Sequence, residues 1–87
     1  MTATIDKPGY HTVDIKKGKL GELSKVQEEL DEAVNAVEQG STIMLAVELS
    51  DLYGALEAVA EKHGYTMHDL SVMSSITKRA FINGRRS

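Results

Sequence analysis

Two acidic residues, Glu48 and Asp51, lie three positions apart in a segment that is otherwise rich in apolar side chains. At about 100° per residue, a helix over this segment places both carboxylates side by side within its apolar arc. Burial of an ionised carboxylate costs on the order of several kcal/mol, and two neighbouring carboxylates raise each other's pKa. A divalent cation relieves both penalties. Oxygen ligands without nitrogen or sulfur nearby favour Mg²⁺ or Mn²⁺.

A second acidic cluster lies upstream, in the run Glu28-Glu29-Leu30-Asp31-Glu32. Glu29 and Glu32 repeat the three-residue spacing, and Glu29 borders the apolar stripe of a predicted helix. In an antiparallel hairpin this shoulder of the first helix can face Glu48 and Asp51. We therefore expect four carboxylates to converge on one cleft.

Other interpretations of these carboxylates stay open. An acidic run on a helix is usually a solvated face, and Lys25 can pair with Glu29 at i, i+4. Glu48 and Asp51 can instead form a buried salt bridge with a lysine or arginine of the third helix. The residues alone leave the choice between metal ligands and ion pairs undecided.

Three helices must position these side chains. The first is predicted from about Leu20 to Glu38, because apolar residues recur there at three- and four-residue steps. These residues are Leu23, Val26, Leu30, Val34 and Val37. Gly40 is the expected stop of this helix, and Ser41 is the expected amino cap of the next. The second helix is predicted over residues 42–63 and ends at Gly64.

The third helix is predicted to begin after Thr66, which can form a capping box with Asp69. It carries Met67, Leu70, Met73, Ile76 and Ala80, and Gly84 is its expected end. Residues 1–19 contain Pro8, Gly9 and Gly18 and read as an irregular arm, followed by a single helical domain over residues 20–87. Short connections between helices imply antiparallel neighbours, so we expect an all-α fold.

Composition excludes several classes of protein. The chain has 87 residues, enough for one domain, and no cysteine, so disulfides and zinc–thiolate sites are excluded. Its net charge of −3 argues against a nucleic-acid-binding protein. No stretch approaches the roughly 20 apolar residues of a membrane span, and the amino-terminal segment does not resemble a signal peptide. We expect a cytoplasmic protein without a membrane or nucleic-acid partner.

The carboxyl-terminal end carries the basic residues Lys78, Arg79, Arg85 and Arg86 without an intervening acid. Guanidinium groups match phosphate oxygens in bidentate geometry, so Lys78, Arg79 and Arg85 are candidate phosphate ligands. Basic residues also interact favourably with the carboxyl terminus of a helix, which is the alternative interpretation of each.

In order and spacing, the motifs resemble the signature of MazG-type nucleotide pyrophosphohydrolases, which the all-α dCTP pyrophosphatases and the dimeric dUTP pyrophosphatases share. The chain presents Glu-Glu-x-x-Glu at Glu28, Glu29 and Glu32, and after fifteen intervening residues Glu-x-x-Asp at Glu48 and Asp51. The closing run from Lys78 to Phe81, followed by Gly84-Arg85-Arg86, is also similar to small phage and bacterial members. The resemblance covers residues 10–86 approximately.

This resemblance implies an enzyme that hydrolyses nucleoside triphosphates to monophosphates and pyrophosphate. It implies Glu29, Glu32, Glu48 and Asp51 as Mg²⁺ ligands, with Mn²⁺ as a substitute. Glu28 would lie behind the ligands, bind a second metal, contact the substrate or be solvated. The family completes a four-helix-bundle core by self-association, so a homodimer or homotetramer is expected.

The chain lacks a Gly-x-x-x-x-Gly-Lys-Ser/Thr loop, so metal ions and the basic residues would have to bind the triphosphate. Tyr10, His11, Tyr53 and Phe81 are the candidates for stacking on the base. The alternative is a non-catalytic helical dimerisation or interaction module, or a nucleotide sensor, in which Glu48 and Asp51 form ion pairs between helices.

Overall fold

The computed structural model describes residues 11–82 of the protein. Within this range the fold is all-α, with three helices and no strand. The helices are α1 (Leu23–Glu38), α2 (Thr42–Lys62) and α3 (Met67–Ile82). Residues 11–22, here called the arm, precede α1 without regular secondary structure. The predicted fold class is therefore confirmed for the described part of the chain.

The helix boundaries follow the predicted capping residues. Ser41 Oγ accepts a hydrogen bond from the Met44 backbone N–H at 3.1 Å and so caps α2. Thr66 and Asp69 form the reciprocal capping box of α3, with N···O distances of 2.9 and 3.0 Å. α1 begins at Leu23, later than the predicted start at Leu20, because Gly21 has a φ of 91° and breaks the helical path.

The α1–α2 hairpin is the centre of the fold, since these two helices pack against each other whereas α3 contacts them only sparsely. The short connection through Gly40, whose φ is 73°, makes α1 and α2 antiparallel neighbours. The Cα radius of gyration is 15.2 Å, larger than the ~12 Å expected for a compact domain of this length. The described chain is therefore an open arrangement of helices.

The face of α1 that packs on α2 is not the apolar stripe identified in the sequence. α1 buries Glu28, Glu29, Ala33, Asn35 and Ala36, of which Glu28 and Asn35 contact the arm. The stripe lies on the opposite side, where Leu23 is 71% exposed and Val37 is 60% exposed. α1 thus buries its acidic and amide side chains and exposes its larger hydrophobic ones, which is the reverse of an isolated globular helix.

None of the three helices in the described range combines the length and the hydropathy that a bilayer span requires.

Candidate metal centre

The inner face of the α1–α2 hairpin brings four carboxylates together. Glu29 and Glu32 lie on neighbouring turns of α1, and Glu48 and Asp51 lie on neighbouring turns of α2. Each offers one carboxylate oxygen, and these four atoms all lie within 4.8 Å of one another. The convergence expected from the two three-residue spacings is present, and we refer to these four residues as the carboxylate cluster.

The cluster is largely removed from solvent. Glu48 is completely buried, and Glu29 is 5% exposed. Oε1 of Glu29 is buried and accepts no hydrogen bond from any residue in the described part of the chain. A buried acceptor without a hydrogen-bond donor costs on the order of 1–3 kcal/mol. A cation bound to this oxygen would offset that cost, as it does for a metal-ligand atom. Asp51 differs from the sequence expectation, because the residue is exposed at the rim and only its carboxylate reaches the cluster.

The proximity of like charges changes the protonation of the cluster. Desolvation, together with the neighbouring carboxylates of Glu48 and Glu29, raises the pKa of Glu32 to about 8. Desolvation and the same two neighbours also raise the pKa of Asp51 above its ordinary value. Four ionised carboxylates are therefore stable here only with added positive charge. A donor set made of carboxylate oxygens fits Mg²⁺ or Mn²⁺.

Lys25 supplies part of that positive charge. Its Nζ lies 3.0 Å from Glu29 Oε2, the i, i+4 pair considered in the sequence, and 3.2 Å from Glu28 Oε1. Desolvation opposes protonation, but the hydrogen bonds to Glu29 and Glu28 prevail and raise the pKa of Lys25. The ion pair and the carboxylate cluster therefore coexist. Lys25 neutralises part of the negative charge at Glu29. The charge of the other carboxylates remains to attract another cation.

An open cavity of about 520 Å³ adjoins the cluster. Its lining residues are Leu20, Lys25, Glu29, Ser50, Asp51, Gly54 and Ala55. This volume lies within the range of small-molecule sites, roughly 300–1,000 Å³. Two residues of the carboxylate cluster, Glu29 and Asp51, and the basic residue Lys25 line this cavity together, a combination that suits a metal complex of a polyanion.

Glu28 does not join the cluster and instead holds the arm against α1. Its Oε1 accepts a hydrogen bond from the Gly18 N–H at 2.8 Å, and Oε2 lies 3.6 Å from Lys17 Nζ. This N–H contact and the ion pairs to Lys25 and Lys17 overcome desolvation and lower the pKa of Glu28. At 3% exposure Glu28 is not a solvated residue. A Cβ on Gly18 would collide with the backbone of Ser24 and Lys25, so only glycine fits there.

The arm also brings His11 to the cluster, a position that the sequence did not predict. Its Nε2 lies 3.3 Å from Glu48 Oε2 and 3.8 Å from Glu32 Oε1. Its Nδ1 lies 2.9 Å from Oδ1 of Asn35, which is 1% exposed. His11 was considered only for base stacking, because a segment without periodicity gives no information about which helix it will contact. The side chain placed beside Glu48 thus comes from the arm, whereas a lysine or arginine of α3 was one expectation.

Two of the predicted phosphate ligands, Lys78 and Arg79, do not line this cavity. Lys78 and Arg79 lie near the end of α3 with exposed side chains, and Arg85 lies outside the described residues, as does Tyr10. Tyr53 is 55% exposed on α2. Among the residues lining the cavity, the basic one is Lys25.

Comparisons with known proteins gave no match to a protein-family model, a curated protein or a solved structure.

Proposed function

We propose that this protein is a Mg²⁺-dependent nucleoside triphosphate pyrophosphohydrolase of the MazG-like type, which converts a nucleoside triphosphate and water to a monophosphate and pyrophosphate. The observation that carries the proposal is the convergence of Glu29, Glu32, Glu48 and Asp51 within 4.8 Å beside an open cavity. The buried, unpaired Oε1 of Glu29 supports a cation as the missing partner. The residue order and spacing that resemble the MazG signature are the second support.

Each residue then has a defined task. The four carboxylates hold the ion, which when bound activates water and neutralises phosphate charge. Lys25, which lines the cavity, is proposed to bind a phosphate oxygen there. Lys78, Arg79 and Arg85 are proposed to bind the outer phosphates once a second copy of the chain completes the assembly. Mn²⁺ substitutes for Mg²⁺ because both accept carboxylate oxygens.

We further propose that the active form is a homodimer or homotetramer in the cytoplasm. The exposed stripe on α1, from Leu23 to Val37, gives a second copy an apolar surface to cover. Packing of two hairpins would supply the four-helix core that one hairpin lacks. Within residues 11–82 the buried hydrophobic residues are Ala33, Ala36, Ala55 and Ala60, and so small a core is consistent with such completion.

The experiment is a pyrophosphate-release assay on the purified full chain with Mg²⁺, across the common ribo- and deoxyribonucleoside triphosphates. We expect pyrophosphate, not orthophosphate, from at least one of them. Glu48→Gln keeps the shape of the side chain but removes a central ligand charge, so turnover should fall by at least roughly 100-fold with unchanged helicity. Glu61→Gln, an exposed carboxylate on the same helix, is the matched control. Full activity of Glu48→Gln would refute the metal assignment.

One observation favours a second candidate, a non-catalytic helical dimerisation module or nucleotide sensor: the same exposed apolar stripe is sufficient to explain self-association without catalysis. Thermal melts with and without millimolar Mg²⁺ separate metal binding from ion pairing. A cation that binds only the folded protein raises the melting temperature by mass action. An unchanged melting temperature, with no pyrophosphate from any triphosphate, would favour the module.

A further inference from the structure

The hydrogen bonds around Asn35 determine the protonation state of one nitrogen of His11. The backbone N–H of Thr12 donates to Asn35 Oδ1 at 3.1 Å, and Asn35 Nδ2 donates to Thr12 Oγ1 at 2.8 Å. Gln39 Nε2 also donates to Oδ1, at 2.8 Å. These contacts identify Oδ1 as the amide oxygen, which can only accept.

His11 Nδ1 lies 2.9 Å from this oxygen and must therefore carry the hydrogen and donate it. In a neutral ring the lone pair is then on Nε2, the atom that points at Glu48 and Glu32. A lone pair facing ionised carboxylate oxygens is repulsive unless a carboxyl proton or a cation lies between them, and a metal ion can serve all three atoms at once. Histidine ligands of metals commonly donate their second N–H to a protein oxygen in just this way, which fixes the ring and its tautomer.

The separations of these three atoms suit one ion. Ligands held about 2.0–2.1 Å from a tetrahedral metal lie roughly 3.3 Å from each other. Nε2 of His11 lies 3.3 Å from Glu48 Oε2 and 3.8 Å from Glu32 Oε1, and the three residues' ligand atoms are all mutually within 4.8 Å. The site is also shielded, since the side chains of His11 and Glu48 are 7% and 0% exposed.

We propose that His11, Glu32 and Glu48 form a second metal position, which adjoins the carboxylate cluster and prefers a transition-metal ion over Mg²⁺. Two oxygens and one imidazole nitrogen suit Co²⁺, Zn²⁺ or Fe²⁺, whereas Mg²⁺ takes oxygen ligands. The arm thereby contributes a metal ligand, and Asn35 is the positioning residue that orients it. This inference shares Glu32 and Glu48 with the proposed function and rests on the same cluster, but it does not require catalysis.

The rival explanation is an ion pair, in which a doubly protonated His11 ring neutralises Glu48 and Glu32 and takes the place of a metal. The two explanations predict opposite effects of removing the ring. If His11 is a metal ligand, His11→Gln removes that ligand and weakens Co²⁺ binding. If His11 is a competing cation, the same change removes the competitor and strengthens the binding of every metal.

The test is calorimetric titration of the full chain with Co²⁺ and with Mg²⁺ separately. We expect His11→Gln to weaken Co²⁺ binding at least tenfold and to change Mg²⁺ binding by less than about threefold. His68→Gln, an exposed histidine on α3, is the matched control and should change neither. Tighter Co²⁺ binding by His11→Gln, or unchanged binding, would overturn the proposal.

A second measurement can refute the proposal with the wild-type protein alone, so that outcome does not depend on the folding of a variant. Pulsed electron paramagnetic resonance of the wild-type protein with Mn²⁺ should show magnetic coupling to an imidazole ¹⁴N nucleus, which disappears in His11→Gln. Absence of nitrogen coupling in the wild type would refute the second position even if Mg²⁺-dependent pyrophosphate release is found. Nitrogen coupling without any pyrophosphate release would refute the proposed function and leave the second position standing.

Discussion

Lys25 Nζ lies 3.0 Å from Glu29 Oε2, so an ammonium group from α1 occupies the edge of the carboxylate cluster before any other cation arrives. The same lysine lines the adjoining cavity. It therefore repels a metal ion at the cluster and attracts a phosphate in the cavity, and these two effects can be measured separately.

Lys25→Met retains most of the side-chain volume and removes the charge. We expect the Mg²⁺ affinity to rise several-fold, because a competing cation is lost. We expect the KM for the nucleoside triphosphate to rise about tenfold, because a charge-assisted contact to phosphate is lost. Isothermal titration with Mg²⁺ and steady-state kinetics measure the two changes. Lys62→Met, an exposed lysine at the end of α2, is the control for loss of charge. A Mg²⁺ affinity unchanged by Lys25→Met would contradict the competition.

The raised pKa of Glu32 predicts a pH dependence of stability in the metal-free protein. Between its ordinary value of 4.5 and about 8, the folded state holds a proton that the unfolded chain has lost. The free energy of unfolding therefore falls as pH rises through this interval. We expect a loss on the order of 1 kcal/mol after solvent screening, or roughly 5 °C in melting temperature. Saturating Mg²⁺ should remove the decline, because it takes the place of the proton.

Thermal melts in chelator from pH 5 to 8.5 measure this effect. Asp51 contributes in the same direction, since its pKa is also raised, whereas the lowered pKa of Glu28 acts only below the window. His11, Glu29 and Glu48 also face Glu32, so the melts are repeated in the His11→Gln background. Glu32→Gln should flatten the profile. A melting temperature that increases from pH 5 to 8 in His11→Gln would be incompatible with the proton held by Glu32.

Gly54 offers a substitution that should change stability and activity in opposite directions. It lies inside α2, where a glycine costs about 0.5–1 kcal/mol relative to alanine, and a Cβ there meets no atom within 4 Å. Gly54→Ala should therefore raise the melting temperature. Because Gly54 lines the cavity, the added methyl group should also raise the KM for the triphosphate without changing Mg²⁺ affinity. A lower melting temperature would show that the position needs glycine for a different reason.

The exposed stripe on α1 predicts that a charged residue introduced there will disrupt the proposed dimer. Leu30 and Val37 are 44% and 60% exposed in the single chain. In the proposed dimer they are covered, so Val37→Lys should convert the dimer to a monomer in sedimentation experiments and lower its melting temperature. His68→Lys adds a similar charge at an exposed position of α3 and should leave the dimer intact. A Val37→Lys protein that remains dimeric would place the interface elsewhere.

Local signals in the sequence were sufficient for the helices and their caps. Ser41, Thr66 and Asp69 act through contacts only three residues away, so their roles follow from spacing alone. The paired three-residue steps likewise predicted that Glu29 and Glu48 would meet. In both cases the prediction depends on residues spaced three positions apart, and the geometry of one helical turn fixes how such residues are arranged.

The sequence did not reveal that the apolar stripe of α1 is largely exposed in the single chain. Leu30 and Val37 of this stripe are 44% and 60% exposed, whereas the helix buries Asn35 and Ala36. A single-chain pattern cannot distinguish an apolar face that packs within the chain from one exposed to another molecule. His11 was missed for a related reason. Its contact with Asn35 joins residues that are 24 positions apart, and no periodicity encodes where an irregular segment will fold back.

The hydrophobic residues buried in the described chain are all alanines, at positions 33, 36, 55 and 60. A methyl group is the smallest side chain that still excludes water, so it acts as a narrow spacer between helix backbones. The separation of the helices then sets how far apart the oxygens on opposite walls lie, and with it the ionic radius that fits between them. A larger residue at Ala36 or Ala55 would widen this gap and alter which cation is preferred, although neither residue offers a ligand atom.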